Sequence, residues 1–193
     1  DFLRLFSYVI NTGDINDPSF GDFLVRFCTD KLNNDVYLSV MKLYPDISWI
    51  ENDLQNGFRH YLHYFPGRKV PEVYTCITGF NNSIITGDSV LGIGLDRYLG
   101  AESEYYRRLE IYKYLADRMT PENIVPDCIY GWGASEWPFS DLRYPSDNVL
   151  SEMIHEGKLK YFEKCMLPEV NDEIIFGFSA AQFKFCRNNE DQM

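Results

Sequence analysis

The sequence predicts an α+β fold, predominantly helical with one small mixed or antiparallel sheet. Three observations carry this. Helix-like stretches run from Ser19 to Tyr64 and stop at Pro66-Gly67. Short β-branched runs follow between Pro71 and Gly100, and helical periodicity returns from Tyr105 almost to the C-terminus. Helices on either side of a block of strands make an α+β layout, not the alternating order of a parallel sheet. A single domain over residues 1–193 is expected, because a chain of 193 residues buries a large core without needing a disulfide or a metal.

Taken in order, residues 1–20 read as an N-terminal arm, since Gly13, Asp14, Asn16, Asp17 and Pro18 interrupt any pattern. Residues 21–66 read as a helical pair. The first helix starts near Ser19 and is closed by Pro45, with Asn33-Asn34-Asp35 able to break it; the second covers Ile47 to Tyr64, starting at Ser48. Residues 71–100 form the sheet. Val73 to Thr78 is one strand, Ser83 to Thr86 a second, Gly87-Asp88 a hairpin turn and Ser89 to Leu95 a third. Residues 105–193 are the second helical part. One helix spans Tyr105 to Met119. Another opens at Thr120-Pro121-Glu122, where Pro suits the first helical position, and is ended by Gly131, Gly133 and Pro138. A third runs from about Ser146 to Met166, and a last one from Ser179 to Asn188 carries Phe183 and Cys186 on one face.

Composition narrows the function. With 18 Lys plus Arg against 29 Asp plus Glu, the net charge is −11, which opposes nucleic acid as a partner and docking on an anionic membrane. Like charge also favours a monomer. No apolar run approaches the ~20 residues of a membrane span. The chain starts at Asp1 rather than Met, so any export signal or lipid-anchor cysteine is expected upstream. Cys28, Cys76, Cys128, Cys165 and Cys186 are odd in number and form no CxxC pair, so they read as buried free thiols, with one disulfide open to them in an oxidising compartment.

Motifs for chemistry are incomplete. The histidines are His60, His63 and His155. His60 and His63 share a helix face and could hold a metal given a third ligand, but a pair of amphipathic aromatics among Tyr61, Tyr64 and Phe65 explains them better. His155-Glu156-Gly157-Lys158-Leu159 begins like HExxH, yet Leu159 stands where the second imidazole must be. At about 100° per residue, Leu150, Met153, Ile154, Gly157 and Tyr161 make one apolar stripe, and His155, Leu159, Phe162 and Met166 a second. That pattern predicts a helix buried on two sides, with Glu152, Glu156 and Glu163 in solvent and a Glu156–Lys160 pair between them. There is no GxSxG elbow and no Walker A loop, and Gly92-Ile93-Gly94-Leu95-Asp96 is too short for a dinucleotide fingerprint. A glycosidase pair hidden among the 29 carboxylates is only a weak suspicion.

Several ordered stretches resemble one family. They are Tyr64-Phe65-Pro66, Pro71-Glu72-Val73-Tyr74-Thr75, Thr78-Gly79-Phe80-Asn81, and Leu91-Gly92-Ile93-Gly94-Leu95-Asp96-Arg97-Tyr98-Leu99-Gly100. They continue through Arg118-Met119-Thr120-Pro121-Glu122, Ile124-Val125-Pro126-Asp127, Met153-Ile154-His155-Glu156-Gly157-Lys158 with Tyr161-Phe162, and Gln182-Phe183 followed by Cys186 and Asn188-Asn189-Glu190. The set resembles the gliding motility lipoprotein GldB family of Bacteroidetes over about residues 20–193, and members of that family usually continue past the position of Met193. The resemblance implies a scaffold similar to zincin-like metallopeptidases. The HExxH helix would be Thr120 to Ser135, and the helix with Glu156-Gly157 and Tyr161-Phe162 would carry the third ligand. Thr120 to Ser135 contains no histidine, so the expected catalytic residues, metal ligands and cofactors are none, with His155 and Glu156 as remnants.

The resemblance also implies a lipid-anchored envelope protein associated with gliding or secretion, on the periplasmic side or at the outer membrane. The expected function is therefore non-catalytic, with envelope proteins or extended peptides as partners and Ser89 to Leu95 as the strand edge that takes them. The alternative is a divergent zinc-dependent hydrolase that recruits His60 or His63 beside His155 and Glu156.

Overall fold

The computed structural model describes residues 2–10, 13–141 and 148–192. The order of elements is α1 (Phe2–Val9), α2 (Phe20–Thr29), α3 (Lys31–Leu43), α4 (Ser48–Tyr64), β1 (Glu72–Cys76), β2 (Ile84–Gly87), β3 (Val90–Gly94). Then come α5 (Glu104–Arg108), α6 (Lys113–Ala116), α7 (Ile124–Glu136), α8 (Val149–Met166), α9 (Asp172–Phe176) and α10 (Ala180–Asn188). The α+β reading holds: helices dominate, and the three strands form a mixed sheet of order β1-β3-β2. β2 and β3 are an antiparallel hairpin, whereas β1 runs parallel to β3 with Thr75 opposite Ile93.

Leu91 and Ile93 of β3 are fully buried and face α4 and α7, and one core cluster joins them to Leu54, Phe58, Tyr61, Ile129 and Trp132. Each such side chain contributes about 1.5–3 kcal/mol through burial. On the other face lies the N-terminal part. Leu5 of α1 fits over Gly87, and Phe6 and Phe27 line a cavity with Cys76.

Several elements depart from the expectations. The arm of residues 1–20 contains the helix α1, because Leu5 and Phe6 lie on one side of it and pack toward the sheet. The helical pair of residues 21–66 is three helices. The break falls at Asp30, which caps α3 by accepting from the Asn33 amide at 3.0 Å. Asn33 and Asn34, read as breakers, instead donate their side-chain amides to the Phe27 and Cys28 carbonyls that end α2. Tyr105 to Met119 is two short helices, interrupted where Glu110 takes a positive φ of 54°. Gly131 and Gly133 lie inside α7 rather than ending it. A Cβ at Gly131 would sit 2.8 Å from Ile84, and one at Gly133 would sit 2.7 Å from the Phe162 ring, so both glycines admit close packing. Pro126 is tolerated because it occupies the first turn of α7, where amides have no helical acceptor. Ser179 and Gln182 form the capping box of α10.

All five cysteines are free thiols, but only Cys128 is buried and Cys28 is exposed. Burial pushes the Cys76 thiol up to about 12.

Candidate functional site

Two regions carry the sequence-predicted residues. The first is the contact between α7 and α8, where the resemblance places a metal site. α7 presents Asp127 and Tyr130, and α8 presents Glu156, Lys160 and Glu163. Lys160 donates to Glu163 at 2.8 Å and lies 4.6 Å from the centre of the Tyr130 ring. The Tyr130 hydroxyl donates to Glu156. Tyr98 donates to Asp127 at 2.9 Å, and Arg118 lies 3.8 Å from the same carboxylate. Burial, above all, raises Asp127 and pushes Glu163 up to about 7; Lys160 pulls Glu163 down and the Asp127 charge pushes it up.

This corrects the reading of α8. Glu163 is not in solvent: it is fully buried, and its Oε1 has no hydrogen-bond partner. Lys160 pairs with it rather than with Glu156, because a buried carboxylate is the one that most needs a counter-charge. The stripe of His155, Leu159, Phe162 and Met166 does face the core, whereas Leu150, Met153, Ile154 and Tyr161 are exposed, so α8 is buried on one side only. Glu163 was legible in principle. Ser151, His155, Leu159 and Glu163 follow at four-residue intervals, which sets Glu163 on the buried face.

His155 and Glu156 diverge. His155 is buried and packs against Phe139 at 5.5 Å, while Glu156 is exposed and turns to Tyr130. His60 bonds through Nδ1 to the Met166 carbonyl at 2.8 Å. Ten residues separate Met166 from Glu156 on α8, about 15 Å along the axis, too far for a shared metal with bonds of ~2 Å. His63 is exposed beside Tyr64. Among the described residues no group of three or more His, Cys, Asp or Glu side chains is placed to hold a metal. The α7–α8 cluster does not fit zinc, since Lys160 and Arg118 supply its positive charge and no imidazole enters it.

The second region is the sheet edge. Ser89 to Leu95 is not that edge: β3 is the central strand, paired on both sides, because its residues are the most deeply buried of the sheet. The open edge belongs to β1, whose residues 72–75 are exposed. The Glu72 amide donates to Ser89 at 2.9 Å. This fixes the phase of the parallel ladder, so Glu72, Tyr74 and Cys76 bond to β3 while the amides and carbonyls of Val73 and Thr75 point outward. Beside that edge a cavity of about 540 Å³ opens between β1 and α4, lined by Ile47, Leu54, Phe58, Leu62, Val73 and Thr75 among others. A missed structural residue fixes the end of this strand. Asp96 is fully buried and accepts from the amides of Thr78 and Phe80, holding Phe80 at a φ of 64°. Its signal in the sequence was the Leu95-Asp96 pair after Gly92-Ile93-Gly94.

No helix is long and apolar enough to cross a membrane among the described residues. No curated protein and no solved structure matches the chain. A family model described as Gliding motility protein GldB matches residues 1–193, so the chain belongs to the GldB family of gliding motility proteins.

Proposed function

We propose that this chain is a non-catalytic, lipid-anchored envelope domain that serves the gliding or secretion machinery by binding an extended segment of a partner protein along β1. Family membership supports a gliding-motility lipoprotein role and association with the envelope. The observation that carries the binding mode is the open edge of β1: outward amides and carbonyls at Val73 and Thr75 lie beside an apolar groove. An added strand would satisfy those backbone groups, and its alternate side chains would enter the groove under α4.

Thr75→Pro tests this. Proline there removes an outward amide and no bond to β3, a position where an edge strand tolerates it. The variant is expected to melt within a few degrees of the wild type and yet fail to restore spreading in a strain lacking the gene. Full restoration by a folded Thr75→Pro protein would remove the β1 edge from the function. Stoichiometric zinc together with hydrolytic activity in the purified protein would overturn the non-catalytic reading.

A further inference from the structure

The open edge of β1 has a cavity on each face of the sheet. Side chains alternate along a strand, so Val73 and Thr75 turn to α4, and Cys76 turns to the N-terminal helices. On the α4 side, Leu54, Phe58 and Leu62 line the groove of about 540 Å³. On the other side, Phe27, Tyr37, Val40, Met41 and Cys76 line a cavity of about 450 Å³. Thr75 borders both, so the two cavities meet at the edge strand. Polar side chains on these walls are already engaged: Asn33 and Asn34 donate to the end of α2, Gln55 to Glu51, and Arg59 to Asn56. What the walls offer an incoming side chain is mainly apolar and aromatic surface.

β3 shows which chemistry these two layers accept. It lies between the α4–α7 layer and the N-terminal part, and its residues from Leu91 to Gly94 are buried. Its sequence, Val90-Leu91-Gly92-Ile93-Gly94, has no polar side chain. A strand covered on both faces reads as a continuous apolar run, whereas one covered on a single face alternates with polar residues. A strand added outside β1 lies about 4.8 Å further out in the same sheet, between the same layers. Its backbone meets the outward amides and carbonyls of Val73 and Thr75, and its side chains point alternately into the two cavities. A polar side chain of either parity loses its water there without gaining a partner. A second copy is a poorer occupant. Its own free edge, Glu72-Val73-Tyr74-Thr75, would take a carboxylate and two hydroxyls into those cavities, and each chain carries −11.

We propose that the β1 edge selects a partner segment that is apolar at consecutive positions, over a run as long as the five residues of β1. One set of alternate side chains enters the groove under α4, and the other set enters the cavity bounded by Phe27, Tyr37 and Met41. This inference rests on the β1 reading and adds the chemistry of the partner to it: an amphipathic strand, apolar on one face only, is discriminated against.

Fluorescence anisotropy with two labelled peptides of identical composition tests it. One is Ser-Ser-Val-Leu-Val-Ile-Val-Ser-Ser and the other Val-Ser-Leu-Ser-Val-Ser-Ile-Ser-Val, each with a lysine at both ends, so only the pattern differs. The continuous peptide is expected to bind at least about tenfold tighter, since burying one more Val or Leu side chain is worth a factor of that size. Leu62→Glu and Met41→Glu place a carboxylate on opposite walls at positions 40% and 50% exposed, so both proteins should melt like the wild type. Each is expected to weaken the continuous peptide about tenfold. Equal affinity for the two peptides, or a loss confined to one of the two variants, would overturn the two-sided selection and leave the β1 edge standing. No binding of the continuous peptide would overturn it too, and the β1 reading is then judged separately by spreading with Thr75→Pro. Thr75→Pro is expected to abolish binding of both peptides, and unchanged binding would overturn the edge and the selection together. A dimer in light scattering that Thr75→Pro fails to form would assign the edge to a second copy and overturn the inference.

Discussion

Glu163 is the residue whose environment most exceeds its sequence context. It is a carboxylate with no exposure, one oxygen on Lys160 and the other without a partner, beside the Asp127 charge. Burial raises it from 4.5 in an unstructured chain to about 7 in the fold. Between those values the folded state binds more protons than the unfolded one, so stability falls as pH rises through the window from about 4.5 to 7. The cost above pH 7 is on the order of 3 kcal/mol. Glu163→Gln keeps an acceptor for Lys160 and removes the titration. In urea melts the variant is expected to lose much less stability than the wild type between pH 5 and pH 8, and equal pH slopes would refute this account. Asp96 shows the opposite management of burial, since the amides of Thr78 and Phe80 meet its carboxylate and oppose the upward push of desolvation.

At the scale of elements, the glycines of α7 explain both its position and its misreading. In sequence, Gly131 and Gly133 look like helix terminators. In the fold they let α7 approach Ile84 of β2 and Phe162 of α8 at distances that a Cβ would forbid. The Phe162 ring has little room to yield, being wedged among the rings of Tyr61, Phe65 and Trp137 at 5.2–6.2 Å. Gly133→Ala should therefore destabilise the protein by about 1–2 kcal/mol, overpacking outweighing the ~1 kcal/mol helix-propensity gain. A chemical melt in which Gly133→Ala is more stable than the wild type would contradict the close-packing role. The same scale decides the sheet. Alternation and turn residues located all three strands within two residues, but pairing order is a long-range property. The hairpin of β2 and β3 was readable because Gly87-Asp88 lies between two short β-branched runs, whereas the parallel addition of β1 beyond β3 has no local signal.

For the whole molecule, one buried cluster extends from Val36 and Val40 of α3 through the sheet to Ile175 of α9. A shared core should unfold as a unit. Calorimetry is therefore expected to show one cooperative transition, and two resolved transitions would divide residues 1–193 into separate domains. Much of this organisation was legible: the α+β class, the helix from Ser48 to Tyr64, the start of the last helix at Ser179 and the family itself. These features are written in neighbouring residues, as turn chemistry, caps and periodicity, or in ordered motifs. What the sequence by itself determined is thus which segments become helix or strand and that no histidine stands on α7. Only the tertiary structure decided which apolar stripe of α8 meets the core, that Lys160 serves Glu163 and not Glu156, and that β1 rather than β3 leaves its edge open. The physical reason is common to all three: burial and strand pairing are settled between residues far apart in the chain, where the cost of an uncompensated charge or an unpaired amide depends on what packs against it.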